Sequence, residues 1–315
     1  MNLTELAKLC GCTPSTVSKA FRGGSGLHPD TRKRILDTAK LYGITVSTEQ
    51  LVRGRTVIVL SPTYNSELYT RPLAHMRLKL YEHRMEMAAM SWEYDEDMLK
   101  KLPGLIRSVR NVCGIILLDA LPEKFLQSFY DLRIPIIGYG QFDSIVLSLE
   151  SGYRKAILHL LEHGRKNIAF IGENKTLKKE LCFRHAMEEL GIPCGDNMIY
   201  RSDSYSTKAG AEGFDSLFSS SVVPDAIICG YDYIALGVLN AAEAAGIDVP
   251  GNLAVIGADD IKAASAYRLG LTTLNYDYRH MALEMIKLLF RRIREPDAPS
   301  QKVVIEYDLI VRETG

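Results

Sequence analysis

The chain has 315 residues, 47% of them hydrophobic and 24% charged, and its 38 basic and 38 acidic residues give a formal net charge of zero. That length suits a small module joined to a larger one, and that composition excludes a fibrous, disordered or membrane-spanning chain. The neutral total hides a division, because residues 1–55 hold nine Lys/Arg and four Asp/Glu, a formal +5, against −5 for the rest.

A basic head on a mildly acidic body suits a module that binds a polyanion while its partner domain avoids phosphate. A solvated face of chance composition is the plain alternative. No apolar run of secretory or spanning length follows Met1, and the six cysteines show no paired CxxC spacing. The expectation is a reduced cytoplasmic protein with no membrane partner. Cys10-Gly11-Cys12 lacks the second ligand pair of a structural metal site.

Residues 2–42 read as three helices. Asn2 and Glu5 have capping-box spacing, and Leu3, Leu6, Ala7 and Cys10 make one apolar face. Gly11 suits a turn that needs positive φ. Thr13 is placed to cap the second helix, with Pro14 in its first position. Val17, Ala20 and Phe21 face inward, leaving Ser15, Lys19 and Arg22 on one outward line flanked by Thr16 and Ser18. Short hydroxyls and long cations on one stripe suit a helix in the major groove, reaching phosphates and base edges. Gly23 to Gly26 end this helix, and Pro29 opens the third, whose Ile35, Leu36, Ala39 and Tyr42 would close a small core. Periodicity alone also allows a generic three-helix bundle. The spacing Ala7, Gly11, Val17 favours a helix-turn-helix, which needs a small crossing residue, a turn glycine and a β-branched inner residue.

Leu3 through Gly23, with Thr16-Val17-Ser18-Lys19 at its centre, and then Thr31 through Leu36, resemble the head of the lactose-repressor (LacI/GalR) family. The resemblance implies that Pro14, Ser15 and Lys19 read bases. It puts Thr13, Thr16, Ser18, Arg22, His28 and Thr31 among the DNA contacts, with His28 in place of the usual serine cap. In that family the stretch after the head folds into a hinge helix on DNA and pushes a leucine into the minor groove. Residues 44–55 are shorter than usual; Leu51 is the wedge candidate and Arg53 the phosphate contact. A plain flexible linker is the alternative, since so short a segment is not helical in water by itself.

From Thr56 onward, β-rich runs alternate with amphipathic stretches. Strands are predicted at 56–60, 86–90, 113–118, 134–138, 145–149, 167–171, 225–229, 253–256 and 303–307. Helices are predicted at 72–83, 96–110, 122–131, 151–163, 177–190, 207–219, 231–245 and 278–293. Such alternation predicts doubly wound parallel sheets, two for this length. The body resembles the family's effector-binding core, itself similar to a periplasmic sugar-binding protein. The matching strings are Gly152 through Ile171, Pro224 through Cys229, Asp232 through Gly237, Gly246 through Pro250, Leu253 through Asp260, Leu271 through Leu274 and Leu309 through Thr314. The resemblance implies a helix-turn-helix domain at 1–43, a hinge at 44–55 and a body at 56–315. Within the body, 56–150 with 277–297 would form one subdomain and 151–276 with 298–315 the other.

Ligands of parallel sheets sit beyond the carboxyl ends of strands. By resemblance, Lys179, Tyr231 and Asp259 converge there, with Asp232 beside them. Tyr64 and Trp92 would line an opposite wall by stacking. Asp232 and Asp259 have a competing reading as helix caps. Lys179 stands where arginine is usual, replacing a bidentate fork with a point charge. The effector expected between the two lobes is a small polar molecule, a saccharide by resemblance. The resemblance also implies a homodimer on a palindromic operator in double-stranded DNA. A regulator controlled by a protein partner, or constitutive with a vestigial pocket, is the other open reading. No cofactor is expected. An enzyme is disfavoured: Gly138-Tyr139-Gly140 lacks the rest of a dinucleotide fingerprint, and His159 and His163, four apart, lack catalytic companions.

Overall fold

The computed structural model describes residues 3–22, 27–43, 54–139, 142–174 and 177–315, apart from the side chains of residues 3, 22 and 29. The head holds α1 (Leu3–Leu9), α2 (Pro14–Arg22) and α3 (Pro29–Leu41). Its core is Leu6, Ala7, Cys10, Val17, Ala20, Ile35 and Ala39, with Phe21 packed against it. Each large apolar side chain buried here contributes about 1.5–3 kcal/mol. Leu36 and Tyr42 depart from the helical expectation, being 37% and 50% exposed. Ile35 and Ala39 are spaced by four and fill the inward face, which turns Leu36 and Tyr42 outward.

Among the described residues, twelve strands form two six-stranded sheets. The first runs β11-β5-β4-β3-β1-β2, with β1 (Thr56–Ser61), β2 (Glu86–Ser91), β3 (Val112–Leu117), β4 (Ile136–Gly138), β5 (Asp143–Ser148) and β11 (Lys302–Glu306). The second runs β12-β10-β9-β8-β6-β7, with β6 (Ile168–Glu173), β7 (Ile199–Ser202), β8 (Ala226–Cys229), β9 (Ala254–Ala258), β10 (Thr272–Asn275) and β12 (Asp308–Ile310). Central strands such as β1, β6 and β8 are buried along their whole length, as expected for parallel strands covered on both faces. Strand β12 pairs antiparallel with β10.

The crossover helices are α4 (Glu67–Glu82), α5 (Glu96–Ser108), α6 (Glu123–Tyr130), α7 (Leu149–Glu162), α8 (Lys178–Glu189), α9 (Thr207–Phe218), α10 (Asp232–Ala244), α11 (Lys262–Ala266) and α12 (Tyr278–Arg294). Asp95 caps α5 by accepting the Asp97 and Met98 amides at 2.7 and 3.2 Å, and Ser206 caps α9 through the Ala209 amide. The helix expected to open at Pro72 begins instead at Glu67, one and a half turns earlier, with an i,i+4 Glu67–Arg71 pair at 3.1 Å. Strands β7, β10 and β12 and helix α11 were not predicted from the sequence; each is three to five residues long, too short to establish a period.

The chain divides into two compact units: Met1–Ser144 with Ala282–Gln301, and Ile145–Met281 with Lys302–Gly315. The first unit is cored by Ile58, Leu60, Trp92, Leu99, Leu102, Ile115 and Phe129. It is tied by Asp143, whose carboxylate accepts the Arg292 guanidinium and the Gln301 amide, each at 2.7 Å. In the second, α9 and α10 pack through glycines: a Cβ on Gly210 would collide with the Ile234 carbonyl, and one on Gly237 with the Thr207 carbonyl. Beneath them lies a core including Ile171, Phe214, Ile227, Val238 and Val255. No helix among the described residues is long and apolar enough to cross a membrane.

Candidate functional site

Two surfaces carry functional side chains. On the head, Gly11 takes φ +58°, a left-handed turn that lets α1 end and α2 begin at once. Thr13 Oγ1 accepts the Thr16 amide at 3.1 Å, the expected cap, and Pro14 opens α2. Val17 and Ala20 are fully buried, whereas Thr13, Pro14, Ser15 and Lys19 are exposed and Thr16 and Ser18 half-buried. Ser15 and Lys19 therefore stand one turn apart on a solvent-facing stripe. His28 caps α3: its Nδ1 accepts the Asp30 amide at 3.4 Å. Thr31 is half-buried in the first turn of α3. Asn2, Leu51 and Arg53 lie outside the described residues, as does the side chain of Arg22.

The second surface lies in the second unit, at the carboxyl ends of β6, β8 and β9. Lys179, in the first turn of α8, donates to the Gly230 carbonyl at 2.6 Å and pairs with Asp259 Oδ1 at 3.3 Å. The same ammonium lies 3.6 Å from the centroid of the Tyr231 ring. Tyr231, just before α10, donates its hydroxyl to Glu173 at 3.4 Å, and the Tyr205 ring lies 5.4 Å away. The structure thus brings Lys179, Tyr231 and Asp259 together. It adds Glu173 and Tyr205, which sequence reasoning missed. A buried acid closing the otherwise apolar β6 run was the available signal for Glu173.

Asp259 and Asp260 occupy left-handed backbone, at φ +107° and +48°. Two adjacent non-glycine residues there cost about 1–3 kcal/mol each unless their surroundings fix them. Here the fixing groups are plain: the Asp259 amide bonds the Leu274 carbonyl, the Tyr278 hydroxyl donates to the Asp259 carbonyl, and Arg312 pairs with Asp260 at 2.7 Å. Asp232 departs from its expected role. It is 1% exposed, and its carboxylate accepts the Ile261 amide at 2.8 Å and the Thr273 hydroxyl at 2.5 Å. Burial, reinforced by the Asp259 charge, pushes its pKa up to about 7 against the pull of those two bonds. It touches the loop that presents Asp259 and has no face left for a ligand.

In the first unit, Tyr64 is 41% exposed near the end of β1, with Thr63 beside it donating to Glu93 at 2.7 Å. Trp92 departs from the expectation of a stacking wall. At 5% exposure it belongs to the apolar core, just past the end of β2, in one cluster with Leu99, Leu102 and Ile106 of α5. The His159 and His163 rings are tilted at 46° with centroids 4.4 Å apart, and His163 Nδ1 bonds the His159 carbonyl. Among the described residues no group of three His, Cys, Asp or Glu could hold a metal ion.

Residues 157–314, half of the chain, match a family described as a periplasmic binding protein-like domain. Catabolite control protein A of Priestia megaterium is 24% identical, covering 100% of this chain and 99% of its own. The transcriptional repressor PurR of Actinobacillus pleuropneumoniae is 25% identical over 99% and 97%, and the regulator DegA of Bacillus subtilis 26% over 98% and 96%. These matches run through head and body together. The chain belongs to the periplasmic-binding-protein-like family, on its LacI/GalR branch of transcriptional regulators. Solved structures agree on the fold of this LacI-type chain. The regulator CelR in complex with cellobiose aligns over 100% of both chains, with a TM-score of 0.73 and 23% identity. A LacI-family regulatory protein from Chloroflexus aggregans aligns over 82% of this chain and 98% of its own, with a TM-score of 0.74 and 20% identity. This LacI-type chain is accordingly a DNA-binding regulator of transcription, and its family works by binding operators and small-molecule effectors rather than by catalysis.

Proposed function

We propose that this chain is a cytoplasmic repressor, active as a homodimer on a palindromic operator, whose DNA affinity is set by a small polar effector of the saccharide class. The head is residues 1–43, the linker 44–55 and the sensor body 56–315. Thr13, Pro14, Ser15, Thr16, Ser18 and Lys19 on α2 and its cap, with Arg22, His28 and Thr31, contact the operator. In the linker, Leu51 is the minor-groove wedge and Arg53 contacts phosphate. Lys179, Tyr231 and Asp259 hold the effector. The observation that carries this reading is the exposed Ser15–Lys19 stripe, on a helix whose opposite face is fully buried, in one chain with a charged and aromatic cluster at parallel strand ends. Cellobiose in the CelR complex, and ribose bound in a LacI-family regulator from Enterococcus faecium, support a saccharide here. Coupling of only a few kcal/mol between effector and operator suffices to change occupancy 10–100-fold.

The test is selection of a binding site from random DNA by the full-length chain, then footprinting with and without a panel of mono- and disaccharides. A palindromic footprint that one sugar shifts by tenfold or more in protein concentration is the expected result. A single asymmetric half-site overturns the dimer. A footprint that no sugar moves favours control by a protein partner, a reading supported by Lys179 being already engaged with Gly230 and Asp259.

A further inference from the structure

Helix α7 finishes on two histidines, His159 in its last turn and His163 as its C-cap. Their spacing of four puts the side chains one above the other on a single face. The ring centroids are 4.4 Å apart with 46° between the planes. His159 is half-buried and His163 exposed.

Each ring has a nitrogen that the fold leaves unspent. His163 Nδ1 lies 2.8 Å from the His159 carbonyl. A carbonyl only accepts, so Nδ1 is the donor, and the neutral ring then carries its lone pair on Nε2. A backbone carbonyl behind one ring nitrogen is the usual support for an imidazole that ligates metal through the other. His159 Nε2 is shielded from solvent and makes no hydrogen bond, which is costly for a polar atom unless something binds it. We propose that His159 and His163 form a chelating site for a divalent transition-metal ion of the Ni2+, Cu2+ and Zn2+ class, with water in the remaining positions.

The class of ligand follows from three features. Imidazole nitrogen suits these ions, whereas Mg2+ and Ca2+ take oxygen. Two imidazoles on one ion, each at about 2.0–2.1 Å, place their ring centres about 4.5–5.5 Å apart. The present separation is just short of that range, and the exposed His163 ring can open it by rotating about its own side-chain bonds. The C-terminal end of a helix carries the negative end of its dipole, so this position favours a cation over a phosphate or carboxylate. The basic residues on either side are committed to oxygen acceptors. Lys155 donates to Asp308 at 2.6 Å and to the Tyr307 carbonyl at 2.8 Å, and Arg165 donates to the Pro250 and Gly251 carbonyls. Among the described residues no third His, Cys, Asp or Glu completes the set. The site is therefore an exchangeable one, unlike a four-ligand structural zinc centre.

The experiment compares the full-length chain with His163→Gln and His159→Gln, titrated calorimetrically with NiCl2 and, as the hard-ion control, MgCl2. Closing the second Ni–N bond within one helix turn should make the parent bind Ni2+ at least tenfold more tightly than either variant, and none of the three should bind Mg2+ there. The free cysteines are common to all three proteins, so the differences report the histidines. Ni2+ should also raise the parent's melting temperature and leave that of His163→Gln unmoved, because only the folded helix holds the pair at chelating distance. With one equivalent of Cu2+, electron paramagnetic resonance should show two imidazole nitrogens in the parent and one fewer in His163→Gln. His163 is exposed, so its variant keeps the test decisive should His159→Gln fail to fold. Equal Ni2+ affinity in the parent and His163→Gln overturns the proposal, as does a single imidazole nitrogen in the parent spectrum. Mg2+ binding that the substitutions abolish overturns the ligand class.

Discussion

The Thr273 hydroxyl on β10 donates to the Asp232 carboxylate in the first turn of α10 at 2.5 Å, tying strand to helix beneath the loop that presents Asp259. The other Asp232 oxygen accepts the Ile261 amide from the far side of that loop. One buried carboxylate thus joins three segments, and the left-handed backbone of Asp259 and Asp260 is held between them.

Asp232 makes stability depend on pH. Its folded pKa of about 7 lies above the ordinary 3.8 because burial and the Asp259 charge disfavour the carboxylate. Between these values the folded state keeps a proton that the unfolded chain has released. The contribution is present in full below about pH 4 and is lost as pH rises through 7. Asp232→Asn should flatten this part of the profile. Urea midpoints measured from pH 5 to 8 for both proteins check it; an unchanged slope in the variant would refute the assignment.

Gly237→Ala should destabilise the second unit. The added methyl would meet the Thr207 carbonyl, which is backbone and has little room to retreat. Overpacking of this kind costs about 1–3 kcal/mol. A lowered urea midpoint, with the slope of the transition unchanged, is the expected result, and Gly164→Ala, which meets nothing within 4 Å but sits at φ +80°, separates crowding from backbone strain.

Lys19→Ala should weaken specific binding by about 1–3 kcal/mol and alter base preference on the selected operator. Its side chain is exposed on α2 and outside the head's core, so thermal stability should stay near the parent's. Equal affinity and equal preference in a competition shift assay would remove α2 from the DNA.

Asp259→Ala should abolish the response to effector while leaving operator affinity near the parent value. The residue sits at the strand ends of the second unit, remote in sequence from the head and paired with Lys179. Footprints with and without effector distinguish the outcomes: a response that survives would make Asp259 a structural residue.

The head was readable because its signals are local. A cap at Thr13, a turn glycine at Gly11 and apolar positions at helical spacing act within a few residues, and the structure repeats them. The long alternating body was readable for a related reason: buried parallel strands carry unbroken apolar runs such as 168–172, and their crossover helices are long enough to show a period. Short β7, β10 and β12 offered no period, and β10 and β12 exist only because distant segments pair with them. The same limit governed the site. Sequence likeness could bring Lys179, Tyr231 and Asp259 to the same strand ends, since position along a parallel strand decides which end a residue occupies. Only tertiary structure decided that the Lys179 ammonium lies on the Tyr231 ring, that Trp92 is core and that Asp232 is buried. Those outcomes depend on packing and desolvation between residues far apart in the chain, and a linear pattern does not encode them.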